Sequence, residues 1–294
     1  MQAATEPDDP PPPAPIPARG GDGMSVRFWG VRGTIATPGP DTVRYGGNTT
    51  CIEVRCGPHL LIFDAGTGIR LLGDALVADG PVDADLFFTH THLDHVVGLP
   101  FFAPLHRKDT TLNLWEGHLG AEADLQSVLH RLIDAPLHPV PLDQVKLCFA
   151  QRKFQAGDTL RPRPGVTIRT APLNHPNGAT GYRVEWQGRS VCIITDTEHP
   201  PVGHDPHVLD LVRGADVMIY DSTFEDGDYP RHVGWGHSTW QEAVRIAAAV
   251  GVARPIAFHH APDRTDAWLD GLAARLAACH PGAIVAVEGM RITV

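Results

Sequence analysis

Residues 89–98 read THTHLDHVVG, so that His90, His92, Asp94 and His95 set four metal-ligand side chains within six positions. A run that reads as buried, Asp85 to Phe88, stops abruptly at this polar cluster. On extended chain His90 and His92 are two apart, so both rings project to the same side. Asp94 and His95 follow where the chain turns, and they reach a second point a short distance away. Imidazole combined with carboxylate suits zinc, iron or manganese. Adjacent imidazoles without a metal would be poorly solvated and would repel one another on protonation. The string therefore reads as a metal site rather than as core or surface. Histidine is also abundant elsewhere, with 17 in the chain against four methionines.

The string resembles HxHxDH, the hallmark of the metallo-β-lactamase superfamily, and the likeness extends over nearly all of the chain beyond the tail. It implies further ligands on later strands. His175 in PLNHP is similar to the third ligand of the first metal, Asp196 in IITDT to the carboxylate bridging two metals, and His259 in IAFHH to the last ligand of the second. His260 competes with His259, which is preferred because it directly follows the apolar run. The first ion would take His90, His92 and His175, the second Asp94, His95 and His259, with Asp196 shared. Asp64 in FDAGTG either orients a ligand histidine or forms an Asx turn with the glycines. The implied fold is an α/β, four-layer αββα sandwich with two divalent ions at one edge of its sheets. Zinc is the default, with manganese and iron as alternatives.

Within the superfamily, Asp196 stands where β-lactam hydrolases have a cysteine-containing second site, and His92 stands where the redox branch has glutamate. Residues 236–244, GHSTWQEAV, resemble a motif of the ribonuclease Z and cyclic-phosphodiesterase branch. There the histidine assists phosphodiester cleavage, which would make His237 and Asp94 catalytic, with a metal-held hydroxide attacking phosphorus. His237 also precedes a helix start, where backbone N–H groups favour an anion. The early string WGVRGTIATPGPDTVRYGGNTTC looks like the same branch, and Asn48 in it reads either as a substrate contact or as part of a turn-rich hairpin. The expected substrate is a small cyclic or linear phosphodiester. Other readings are a thioester or lactone hydrolase, a non-catalytic sensor whose proline tail docks a partner, and a transfer-RNA 3′-processing endonuclease. The last lacks its extended basic arm here.

These residues need elements to hold them. Short runs rich in Val, Ile, Phe and Thr, most of them bounded by glycine or proline, predict strands at 26–29, 50–55, 60–63, 85–89, 111–115, 167–170, 181–186, 191–195, 217–220, 255–258 and 283–287. Apolar spacing predicts helices over 240–250, 266–279 and 121–133. Ser238 ahead of Gln241 reads as a capping box, and Thr265 as a cap. Residues 1–23, with seven prolines in the first 17, read as a disordered tail, Met24 as a candidate start of translation, and 24–294 as one domain. The stretch 103–165, holding His106, His118, His130 and His138, reads as a lid or a homodimer surface.

Composition bounds the rest. At 294 residues and 43% hydrophobic, the chain is long enough for a large core. Five scattered cysteines without a CxxC pair predict reduced thiols and a cytosolic address. No secretory signal or membrane-spanning run is visible. A net charge of −10 argues against an extended nucleic-acid partner, and the weak basic cluster Arg152, Lys153, Arg161 and Arg163 reads as a solvated loop.

Overall fold

The computed structural model describes residues 23–120, 123–139 and 149–294. The proline-rich tail, apart from Gly23, and Cys148 lie outside the described residues. In chain order the elements are β1 (Met24–Gly30), β2 (Cys51–Cys56), β3 (His59–Phe63), α1 (Ile69–Asp79), β4 (Asp83–Phe88), α2 (Leu93–Val96), β5 (Thr111–Glu116) and α3 (Leu125–Leu132). There follow β6 (Phe149–Lys153), β7 (Thr159–Leu160), β8 (Thr167–Leu173), β9 (Ala179–Trp186), β10 (Arg189–Ile194), α4 (Pro206–Val212) and β11 (Val217–Asp221). The chain closes with α5 (Trp240–Val250), β12 (Arg254–Phe258), α6 (Asp266–Cys279), β13 (Ile284–Val285) and β14 (Arg291–Thr293).

Two seven-stranded sheets result, ordered β14-β1-β2-β3-β4-β5-β6 and β13-β12-β11-β10-β9-β8-β7. Each is antiparallel on one side and parallel on the other. The parallel neighbours are β3 to β6 in the first sheet and β10 to β13 in the second. Alternate apolar residues from both sheets, among them Phe28, Val54, Phe63, Tyr182, Ile193, Ile219 and Ile256, form the core between them. Their other faces are covered by α1 and α3 on the first sheet and by α4, α5 and α6 on the second. This is the αββα sandwich. Among the described residues no helix is long and apolar enough to cross a membrane.

Several local expectations need correction. Helix α5 is capped by Thr239, whose hydroxyl accepts from Glu242 N, not by Ser238. Ser238 is buried and bonds His199 Nδ1 at 2.7 Å and Tyr220 OH at 3.2 Å instead. The buried face of α5 uses Ile246 in place of the exposed Ala248. The last predicted strand shrinks to β13; of the third predicted helix, 121 and 122 lie outside the described residues and 125–132 form α3. Helices α1, α2 and α4 and strands β6, β7 and β14 were not foreseen. The basic cluster is not one solvated loop. Arg152 and Lys153 lie on edge strand β6, and Arg163 clamps Asp83 while its Nε donates to the fully buried Asp85.

Candidate metal centre

Strands running in one direction end together at one rim, including β8, which pairs antiparallel with β7 and β9. Carboxyl ends of parallel strands are where α/β sheets bind ligands. Asp64 follows β3, His90 follows β4, His175 follows β8, Asp196 follows β10, Asp221 ends β11 and His259 follows β12. The backbone bends sharply there. Asp64, Asp196 and His259 have φ values of 62°, 58° and 61°, in the left-handed region that side chains other than Gly rarely adopt. These bends turn the side chains inward at the moment each strand ends.

Two adjoining groups form. His90, His92 and His175 make one, and Asp94, His95, Asp196 and His259 the other, with ligand atoms in each within 4.8 Å of one another. Asp196 touches both: its Oδ1 is 3.8 Å from His90 Nε2 and from His175 Nε2, and 3.3 Å from His259 Nε2, while Oδ2 is 3.2 Å from His95 Nε2. Asp94 Oδ2 is 3.3 Å from both His95 Nε2 and His259 Nε2. His260 points elsewhere, donating Nε2–H to Ala286 O at 2.9 Å, so His259 is the member of the pair that faces the cluster.

Most imidazoles in the cluster are oriented by a partner on the opposite nitrogen. His95 Nδ1 lies 2.8 Å from Asp64 Oδ2, His175 Nδ1 2.7 Å from Gly236 O, His259 Nδ1 3.0 Å from Thr223 Oγ1, and His90 Nδ1 3.1 Å from Thr89 Oγ1. Asp64 thus orients a histidine rather than closing an Asx turn, and its other oxygen accepts from Thr89 N at 2.7 Å. The Nε2 atoms of His90, His95 and His259 are left buried without any hydrogen-bond partner. Buried polar atoms of that kind call for an explanation. Nitrogens aimed inward at two buried carboxylates fit divalent cations held by nitrogen and oxygen.

Electrostatics agree. Burial, reinforced by neighbouring imidazoles, lowers the pKa of His90, His92 and His175, which favours their neutral rings. Burial would also lower His95, but the carboxylates of Asp196, Asp94 and Asp64 outweigh it and push its pKa well up. That concentration of negative charge is what a bound cation would compensate, displacing protons as it enters.

The loop from β1 to β2 closes the rim. Thr34 N donates to Asp94 Oδ2 at 2.7 Å, and no Cβ fits at Gly33, against the His259 ring. Asn48 does not face the cluster, since its amide donates to Glu288 Oε1 at 2.7 Å. His118 reaches the ligand string through Thr91 Oγ1 at 3.1 Å, whereas His106 is 2.8 Å from Pro100 O.

His237 borders the cluster, its ring centroid 5.3 Å from His175 and 5.0 Å from His259. Its Nδ1 lies 2.8 Å from Asp221 Oδ2, a contact that leaves Nε2 out. Burial pulls this imidazole down, yet Asp221 and, behind it, Asp196 and Asp94 raise its pKa to about 9. Asp221 and Thr223 are the partners sequence reasoning missed. The signal for Asp221 was present, an acidic residue ending an apolar run in VMIYD, as at FD and TD.

The family model described as "Beta-lactamase superfamily domain" matches residues 59–260. A ribonuclease Z from Myxococcus xanthus is 23% identical, over 72% of this chain and 81% of its own. The metallo-beta-lactamase fold protein YhfI from Bacillus subtilis superposes with a TM-score of 0.69 at 19% identity, covering 93% of this chain and all of YhfI. A diphosphatase from the PhnP family gives 0.68 at 16% identity, over 92% and 97%.

Proposed function

Because the chain belongs to the metallo-β-lactamase superfamily, in its ribonuclease Z-like branch, and is a hydrolase of that family, we propose that it is a dinuclear-metal phosphodiesterase acting on a small cyclic or linear phosphodiester. The observation that carries this reading is the paired cluster itself: two adjoining ligand groups with Asp196 of the second lying 3.8 Å from His90 and His175 of the first, and three buried Nε2 atoms lacking partners. In this reading His90, His92 and His175 would hold one ion and Asp94, His95 and His259 the other, with Asp196 placed to serve both. Zinc is the expected metal. Two such ions supply Lewis acidity, activating water and neutralising charge on the phosphate.

The chain's own groups do the rest. Asp64, Thr223 and Gly236 O hold the ligand rings in register. Asp221 fixes the His237 ring through Nδ1, so that Nε2 would be the nitrogen that delivers a proton to the departing ester oxygen. A small substrate is favoured over structured RNA by the acidic chain, at −10, and by the absence of an extended basic arm. The free thiols of Cys51, Cys56, Cys192 and Cys279 support a cytosolic address.

The test is a hydrolase panel on one metal-analysed sample: bis-p-nitrophenyl phosphate, a lactone and a glutathione thioester. Turnover of the phosphodiester is expected, and turnover of either carbonyl substrate alone would replace this reading with the thioester or lactone alternative. His237→Ala should lower phosphodiester turnover by about 10²–10⁴-fold with metal content intact. Full activity in that variant would remove His237 from the reaction.

A further inference from the structure

We propose that Glu198 is a positioning residue for the metal site: its carboxylate seats the loop ahead of α5, so that one short stretch orients the His175 ring and presents His237. Its effect on the ligand ring rests on the metal site, and its effect on turnover rests on the phosphodiesterase reading. The stretch 233–236 has little of its own to hold it. Val233 and Trp235 are each 61% exposed, so neither anchors it by burial. Trp235 N bonds within the loop, to His232 O at 3.0 Å. Gly234 and Gly236 sit at φ of 88° and 80°, and glycine loses the most conformational freedom when a chain is fixed.

The two glycine amides supply the hold. Gly234 N donates to Glu198 Oε1 at 2.9 Å and to Oε2 at 2.8 Å, and Gly236 N donates to Oε2 at 2.8 Å. Glu198 is buried, and hydrogen bonds to an ionised acceptor are stronger than neutral ones. The placement of the loop then decides the placement of the ligand ring. Gly236 O accepts from His175 Nδ1 at 2.7 Å. A Cβ at Gly236 would come within 2.4 Å of that nitrogen and 2.3 Å of Pro176 Cδ. The main chain therefore lies directly against the ring, and a small shift of the loop breaks the bond.

Glu198 is itself tied to the same ligand. Its N donates to Asn174 O at 2.8 Å, and Asn174 Nδ2 donates back to Glu198 O at 3.0 Å. Asn174 precedes His175, Glu198 stands two residues beyond Asp196, and Gly236 precedes His237. A closed circuit of hydrogen bonds thus joins the ends of β8 and β10 to the start of α5. Its side-chain link reaches one ligand group only. His95 and His259 of the other group are oriented by Asp64 and Thr223. Removing the carboxylate leaves both bonds to Asn174 in place, because they use the main chain of Glu198, so Asp196 keeps its seat. What is lost is the hold on Gly236 O, and with it the orientation of His175 and the position of His237.

The experiment is zinc titration of the full chain against a chromophoric chelator, with amide hydrogen exchange read on the same samples. In Glu198→Ala one of the two zinc ions should bind about 10–100-fold more weakly and the other unchanged, with faster exchange at Gly234 and Gly236. Glu198→Gln keeps an oxygen able to accept from both amides and should recover most of the affinity. Should Glu198→Ala fail to fold, Glu198→Asp carries the same test, since it keeps the charge and draws the carboxylate back by one methylene. Equal weakening of both ions would mark a merely structural residue. That result, unchanged affinity for both, or a Gln variant as impaired as the Ala variant would overturn the proposal. At saturating zinc, kcat on bis-p-nitrophenyl phosphate should fall by up to about 10²-fold. Loss of one zinc ion in a protein that hydrolyses no phosphodiester would refute the reaction class and keep the role of Glu198. Phosphodiester hydrolysis with zinc binding untouched by Glu198→Ala would do the reverse.

Discussion

Four ring nitrogens on the outer side of the cluster are already engaged by Asp64, Thr89, Gly236 O and Thr223, and this fixes which nitrogen of each ring is offered inward. Such outer partners typically change metal affinity by about 10–100-fold when removed. Asp64→Asn should weaken zinc binding by that amount, measured by competition with a chromophoric chelator. Unchanged affinity would mean that the 2.8 Å contact to His95 does not tune the site. The ligand string was legible in the sequence because four of its members are local neighbours. His175, Asp196 and His259 stand as single residues after apolar runs, where only likeness to a family ranks them above turn formers. Thr223 was not legible; for Asp221 the strand-end position was legible but its role was not, because an acidic residue at a strand end says nothing about which imidazole, 16 positions further on, it will meet. The path of the chain between β11 and α5 supplies that information, and it is set only by the folded protein.

At the level of elements, the strands that carry the site were readable, since apolar runs between glycines and prolines leave few alternatives. Strand β6 was not, because four of its five residues are exposed and no apolar alternation marks it. Helix α1 was hidden by the glycines at its start: Gly66 and Gly68 lie so close to Asp94 O and Trp29 O that a Cβ would collide with backbone. Helix α5 spans 240–250 as the spacing predicts, but its cap is Thr239 instead of Ser238, because both are capping types and tertiary contacts decide between them. Ser238 is taken by His199 and Tyr220, which leaves Thr239 as the cap. Thr239→Ala should accordingly cost about 1 kcal/mol in urea unfolding. A change below about 0.3 kcal/mol would contradict the cap assigned to it.

Across the whole molecule, the rim holds its geometry only while the two sheets stay in register with each other. Arg163, between β7 and β8 of the second sheet, bonds Asp85 on β4 of the first, and Asp85 is fully buried with Asn113 and Trp115 as its other donors. Removing one partner of a buried pair leaves an uncompensated charge, so Arg163→Ala should destabilise the fold by roughly 3 kcal/mol, read from chemical denaturation. Loss of less than about 1 kcal/mol, the usual yield of a surface pair, would show that the sheets are joined by their shared apolar core alone. That core, with residues drawn from both sheets, sets the distance across which His90 and His95 of one sheet face Asp196 and His259 of the other. The most direct measurement is anomalous diffraction at the zinc edge from crystals of the zinc-loaded protein. The account predicts two peaks at full occupancy, one among His90, His92 and His175 and one among Asp94, His95 and His259, with Asp196 between them. A single peak, or zinc bound only at surface histidines, would contradict it.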